Sequence, residues 1–115
     1  MTTAEVATMI AGIGVPYAYY QFPEGTAQAC PFICFYYPES ADFMADDSNY
    51  VHIVPLTIEL YTDNIDFTKR AAVESALDTA GLPYSWTETW IDSERMHMTT
   101  YNTEVILTTA TEAFT

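Results

Sequence analysis

The sequence predicts an α+β fold. It places a mostly antiparallel sheet under two helices packed on one face, in the order α-β-β-β-α-β-β. Three observations lead there. Apolar residues recur at helical spacing in two short segments. Strict two-residue alternation runs through the segment around Val54 to Tyr61. Both helical segments end on Gly, an apolar residue, Pro and Tyr (Gly14 to Tyr17 and Gly81 to Tyr84), and a strand-like run follows each. The 115 residues suit one domain, 1–115. With 50% hydrophobic and 15% aromatic residues, the chain is not of the disordered class.

Thr2-Thr3-Ala4-Glu5 is a capping-box pattern with Thr2 as N-cap. Val6, Met9, Ile10 and Ile13 then form one apolar helical face, which Gly12 and Gly14 end and Pro16 closes. Tyr17 to Phe22 reads as a strand and Pro23-Glu24-Gly25 as a turn. Pro31 to Tyr37 is a dense apolar strand. Glu39 to Asn49, with four acids and no base, reads as a projecting loop or hairpin tip.

Tyr50 to Tyr61 reads as the longest strand. Tyr50, His52, Val54, Leu56, Ile58 and Leu60 share the more apolar face and should meet the core, while Pro55 points to an edge, a bulge or an irregular pairing. Asp63 or Asp66 caps a second helix over Phe67 to Ala80, with Val73, Leu77 and Ala80 on its buried side. Gly81 stops it. Tyr84 to Asp92 is a strand with Tyr84, Trp86, Glu88 and Trp90 on one side. Asp92-Ser93-Glu94 is a turn, and Met96 to Thr109 a final long strand.

Charge excludes several functions. Three Lys+Arg against 16 Asp+Glu give a net −13, and no Lys or Arg precedes Lys69. So few cations cannot make a nucleic-acid-binding face or a polybasic membrane anchor. No apolar run approaches the ~20 residues of a spanning helix, and Met1-Thr2-Thr3 lacks a basic n-region, so a cytoplasm-like compartment is expected. Cys30 and Cys34 lie four apart on one extended face, about 13 Å between Cα atoms by the strand rise. That is too far for a disulfide, so they read as small hydrophobes.

Catalytic constellations are missing from the pattern. There is no nucleophile elbow, P-loop, dinucleotide turn or zincin spacing. The acids of Asp63-Asn64-Ile65-Asp66 read as helix-start residues rather than a calcium loop. Neither His52 nor His97 has a nucleophile beside it in sequence. Nine tyrosines exceed what a small core can satisfy, so several should face solvent or a partner. The expectation is a non-enzymatic interaction protein with no cofactor and no metal.

The second half carries a family pattern. Val54 to Tyr61, Val-Pro-Leu-Thr-Ile-Glu-Leu-Tyr, is followed by Thr62-Asp63. After the Ala-rich helix come Gly81-Leu82-Pro83-Tyr84, then Thr87 to Met96, then Thr99 to Thr108. In these residues and in element order the chain resembles the tail-completion, or tail-terminator, proteins of long-tailed, siphovirus-like bacteriophages. The resemblance implies a structural virion protein, assembled in the host cytoplasm. It would form a homo-oligomeric ring, usually a hexamer, at the head-proximal end of the tail tube. Its partners would be the tail tube protein and a head-completion or connector protein, with DNA passing through the ring unbound. A negative lumen would repel phosphates.

For subunit or neighbour contacts the candidates are Asp42, Phe43, Asp46 and Asp47 in the acidic segment, together with Trp90, Asp92, Glu94 and Arg95 at the last turn. Arg95 is the candidate for an intersubunit ion pair, with a local pairing to Asp92 or Glu94 as the alternative. Other readings are a head-tail connector or stopper subunit, a small-molecule-binding module using the Tyr/Trp face around Trp86 and Trp90, and a DNA-mimic inhibitor.

Overall fold

The computed structural model describes residues 1–22, 29–39, 41–43 and 51–107. It contains helices α1 (Thr3–Ala11) and α2 (Phe67–Thr79). Its strands are β1 (Tyr17–Tyr19), β2 (Phe32–Tyr36), β3 (Ala41–Phe43), β4 (Val51–Thr62), β5 (Tyr84–Ile91) and β6 (Met96–Leu107). Five strands run in the order β1-β2-β4-β6-β5, and β3 pairs with β4 off that path. The class and element order match the expectation, with β3 as an addition inside the segment read as a projecting loop. All neighbours are antiparallel except β1 and β2, which are parallel.

Local chemistry fixes the ends of the helices. The Thr2 hydroxyl accepts from the Glu5 N–H at 3.1 Å, and the Glu5 carboxylate accepts from the Thr2 N–H at 2.8 Å. That reciprocal box satisfies two donors no helical carbonyl can reach. Asp66 caps α2, its Oδ1 accepting from the Lys69 N–H at 3.0 Å. Gly14 at φ 92° and Gly81 at φ 72° take the left-handed turns that lead into β1 and β5.

The long pair β4–β6 is the spine of the sheet. Its register sets Val54 opposite Val105, Leu56 opposite Thr103, Ile58 opposite Tyr101 and Leu60 opposite Thr99, all on the helix-covered face. Ile33 and Phe35 of β2 join that face beside Leu60 and Ile58. Val6 and Ile10 of α1 and Val73 and Leu77 of α2 close over it as one core. Burying each such aliphatic side chain stabilises the fold by about 1.5–3 kcal/mol relative to leaving it exposed.

Pro55 sits mid-strand and pairs with Glu104 of β6. On the other side β2 pairs with residues 57–61 and β3 with 51–53. Pro55 therefore falls in the gap between two ladders, where a missing N–H is tolerated. The irregular pairing expected of it is this gap.

Two expectations are corrected. Ala80 is the exposed C-cap of α2 rather than part of its buried side. The third inward position is Arg70, which with Val73 and Leu77 makes the i, i+3, i+7 stripe. The strand expected over Tyr17 to Phe22 stops at Tyr19, because Tyr20 turns to φ 70°.

Candidate functional site

The buried Arg70 organises the side of the sheet where α2 meets β5. Its Nη1 donates to Glu88 Oε1, and its Nε stands 3.7 Å from Glu74 Oε2. Its guanidinium lies 4.2 Å from the ring centroid of Trp86 and 5.5 Å from that of Phe67. The Tyr101 hydroxyl donates to Glu74 Oε2 at 2.8 Å. His97 Nε2 is buried without a hydrogen-bond partner and stands 3.6 Å from Glu88 Oε2.

Burial by itself disfavours the Arg70 cation, but its bond with Tyr101 and the charges of Glu88 and Glu74 raise its pKa above the usual value. Burial and the bond to Glu74 push the Tyr101 hydroxyl far up, so it remains a donor. The cluster has an acid, a base and a hydroxyl. Arg70, Tyr101, Glu74 and Glu88 bond to one another, whereas His97 Nε2 and Arg70 Nε are buried without a hydrogen-bond partner. The cluster's observed effect is to tie the second helix to the outermost strand and to neutralise the carboxylate of β5.

The sheet register places Trp86 beside Tyr101 and Trp90 beside His97, so both indoles stand on the helix side of β5. They are 47% and 46% exposed. At the opposite edge, Tyr17 and Tyr19 stand on the same side of the sheet, beside Ile33 and Phe35. They are 42% and 52% exposed. Tyr19 meets Phe35 edge-on at 5.4 Å. The surplus of tyrosine thus resolves partly into exposed rings at one edge.

Other tyrosines serve the face the helices leave uncovered. Tyr36 and Tyr61 both donate to the Glu59 carboxylate, at 3.1 and 2.8 Å. Tyr61 stacks on Phe32 at 4.7 Å. Further along this face, a shallow depression of about 620 Å³ is lined by Ile53, Pro55, Pro83, Tyr84, Asn102 and Ile106 among others. Trp86 and Trp90, the residues proposed to line a small-molecule pocket, are not part of it. Trp86 is instead covered by Arg70. Both cysteines are free, with Cys34 buried.

The candidate contact residues fall in two places. Asp42 and Phe43 belong to β3, opposite His52 and Val51. Asp46 and Asp47 lie outside the described residues. Trp90, Asp92, Glu94 and Arg95 gather at the β5–β6 turn. The Trp90 Nε1 donates to Asp92 Oδ1 at 3.3 Å, and the Arg95 N–H donates to the Asp92 carbonyl at 3.2 Å. Arg95 holds φ 51°. Among the described residues, no carboxylate is within ion-pair range of the Arg95 guanidinium. Sequence reasoning missed the Arg70 cluster, for which the sole signal was a lone Arg at helical spacing from Val73 and Leu77.

Among the described residues, no group of three or more metal-binding side chains occurs, and no helix is long and apolar enough to cross a membrane. Neither a family model nor a curated protein matches the chain. Its shape does have a relative. A chain in the structure described as "Virion of native gene transfer agent (GTA) particle" aligns with a TM-score of 0.55. The alignment covers 87% of this chain and 85% of that one, at 17% identity. The chain shares its fold with a virion component. At this identity the likeness is one of fold, and it spans nearly the whole of both chains.

Proposed function

We propose that this chain is a structural virion protein of the tail-terminator type. Its copies form a ring, six in the simplest case, at the head-proximal end of a tail tube. The ring stops tube polymerisation and presents a face to a head-completion or connector protein, and DNA passes through the ring without being held. One observation carries this reading: the fold is shared over 87% of this chain with a virion chain of nearly equal length. The exposed rings at both sheet edges suit a protein that works by contact. The net −13 suits a bore that repels phosphates. Arg95, without a carboxylate partner among the described residues, is the proposed intersubunit cation, and Asp42 to Asp47 mark the proposed neighbour contact.

The test is direct. Solution mass over a concentration series, followed by negative-stain imaging alone and with purified tail tubes, should give rings or capped tube ends that no longer elongate. Tubes that elongate unchecked in its presence would remove the terminator assignment. A ring whose acids lie on the outer rim around a basic bore would remove the lumen assignment.

A further inference from the structure

We infer that the outer edge of β5 is where the next copy of this chain docks, and that it receives the β1 edge of that copy. The inference rests on the ring reading above and specifies how the ring is joined. Among the described residues, β5 pairs only with β6 and β1 only with β2, so each carries a row of backbone groups without a strand partner. β5 is eight residues long, and the one feature on it that discourages pairing is the charge of Glu88, which Arg70 already engages. It contains no Pro, Lys or Arg, and no residue of positive φ.

Charge selects a second copy over a basic partner. No charged residue occurs between Glu5 and Glu24, which leaves the β1 edge neutral. On β5 the one charged residue is Glu88, already engaged by Arg70 and facing His97. On a chain of net −13, these two edges are where like-charged copies approach with least repulsion. A basic partner would be drawn to the exposed acids instead.

Geometry selects β1 as the mate of β5. Tracing the pairings through β2, β4 and β6, β1 runs antiparallel to β5. A copy continuing the sheet therefore offers an antiparallel strand. Trp86 and Trp90 on one edge and Tyr17 and Tyr19 on the other stand on the same side of the sheet. Joining the edges sets Trp against Tyr, with three residues of β1 in the ladder. Two different patches are used, so the contact propagates around a ring rather than closing on a pair.

The experiment uses the full chain and two variants with exposed edge substitutions, Thr87→Glu/Thr89→Glu on β5 and Tyr17→Glu on β1. Sedimentation is run on each alone and on an equimolar mixture, after circular dichroism shows native melting. Each variant alone should self-associate at least about tenfold more weakly than the unmodified chain. The mixture should form one-to-one heterodimers, because one intact β5 edge then meets one intact β1 edge. Variants that assemble as the unmodified chain does would overturn the edge assignment while leaving the ring intact. Dimerisation of Tyr17→Glu by itself would show β5 pairing with β5 and overturn it too. An unmodified chain that stays monomeric at every concentration and on tube ends would overturn both readings.

Discussion

Arg70 on α2 donates to Glu88 on β5, so a helix residue of the core stripe is bound to the outermost strand. The same guanidinium faces Glu74 and lies over Trp86. Arg70→Ala removes all of these contacts and leaves two carboxylates facing each other's field. It should cost about 2–4 kcal/mol in urea unfolding. Glu88 is partly solvated, so Glu88→Gln should cost less, about 1–2 kcal/mol. The double variant should cost less than the sum, because each change removes the other's partner.

Alkali should unfold the chain through its buried phenols. Burial pushes the Tyr37 hydroxyl up to about 12, and the nearby Tyr19 adds to the shift. Burial and Glu59 raise Tyr61, and burial and Glu74 raise Tyr101. A folded pKa above the ordinary value near 10 means the native state holds its proton more tightly than the unfolded chain. The stabilisation is complete below about pH 10 and is lost as pH rises through the folded values. For Tyr37 that window runs from about pH 10 to about 12. Tyrosinate absorbance should show a fraction that ionises only together with loss of the circular dichroism signal.

Arg95 separates stability from assembly. It holds a left-handed φ of 51° and makes no ion pair among the described residues. Arg95→Gly should raise the melting stability of the isolated chain by about 1 kcal/mol, because glycine adopts that conformation without strain. The same variant should self-associate more weakly if the cation bridges subunits. Unchanged association with raised stability would remove Arg95 from the interface.

Gly81 offers a control on the turn into β5. A Cβ there would meet nothing within 4 Å, so the cost of Gly81→Ala is conformational alone. At φ 72° it should be about 1–2 kcal/mol, read from the urea midpoint with an unchanged slope.

The parts of this fold that sequence conveys are those set within one segment. The alternation of Val54, Leu56, Ile58 and Leu60 marks a buried face without reference to any partner strand, and all four are buried. The capping box needs only residues Thr2 to Glu5. The parts that escaped depend on segments meeting. Arg70 looks solvent-facing until Glu88, 18 residues away, and Trp86 are brought beside it by the β5–β6 register. The three-residue β3 carries too little pattern to stand out from an acidic segment, and its place comes from pairing with Val51 to Ile53. The parallel pairing of β1 with β2 has no local signature either. For the contact residues, sequence located the β5–β6 turn but could not tell that both indoles share a side with Tyr17 and Tyr19.

Arg70 turns inward, which leaves Lys69 and Arg95 as the remaining side-chain cations on a chain with 16 acids. Each copy added to the proposed ring would then bring its counterion cloud into an already crowded one. Screening lengths shrink from about 30 Å at 0.01 M to about 8 Å at 0.15 M ionic strength. Added electrolyte should therefore tighten self-association, whereas it weakens contacts that depend on attraction between opposite charges. In the proposed ring, the mobile ions of the solution would become, in effect, a component of the assembly.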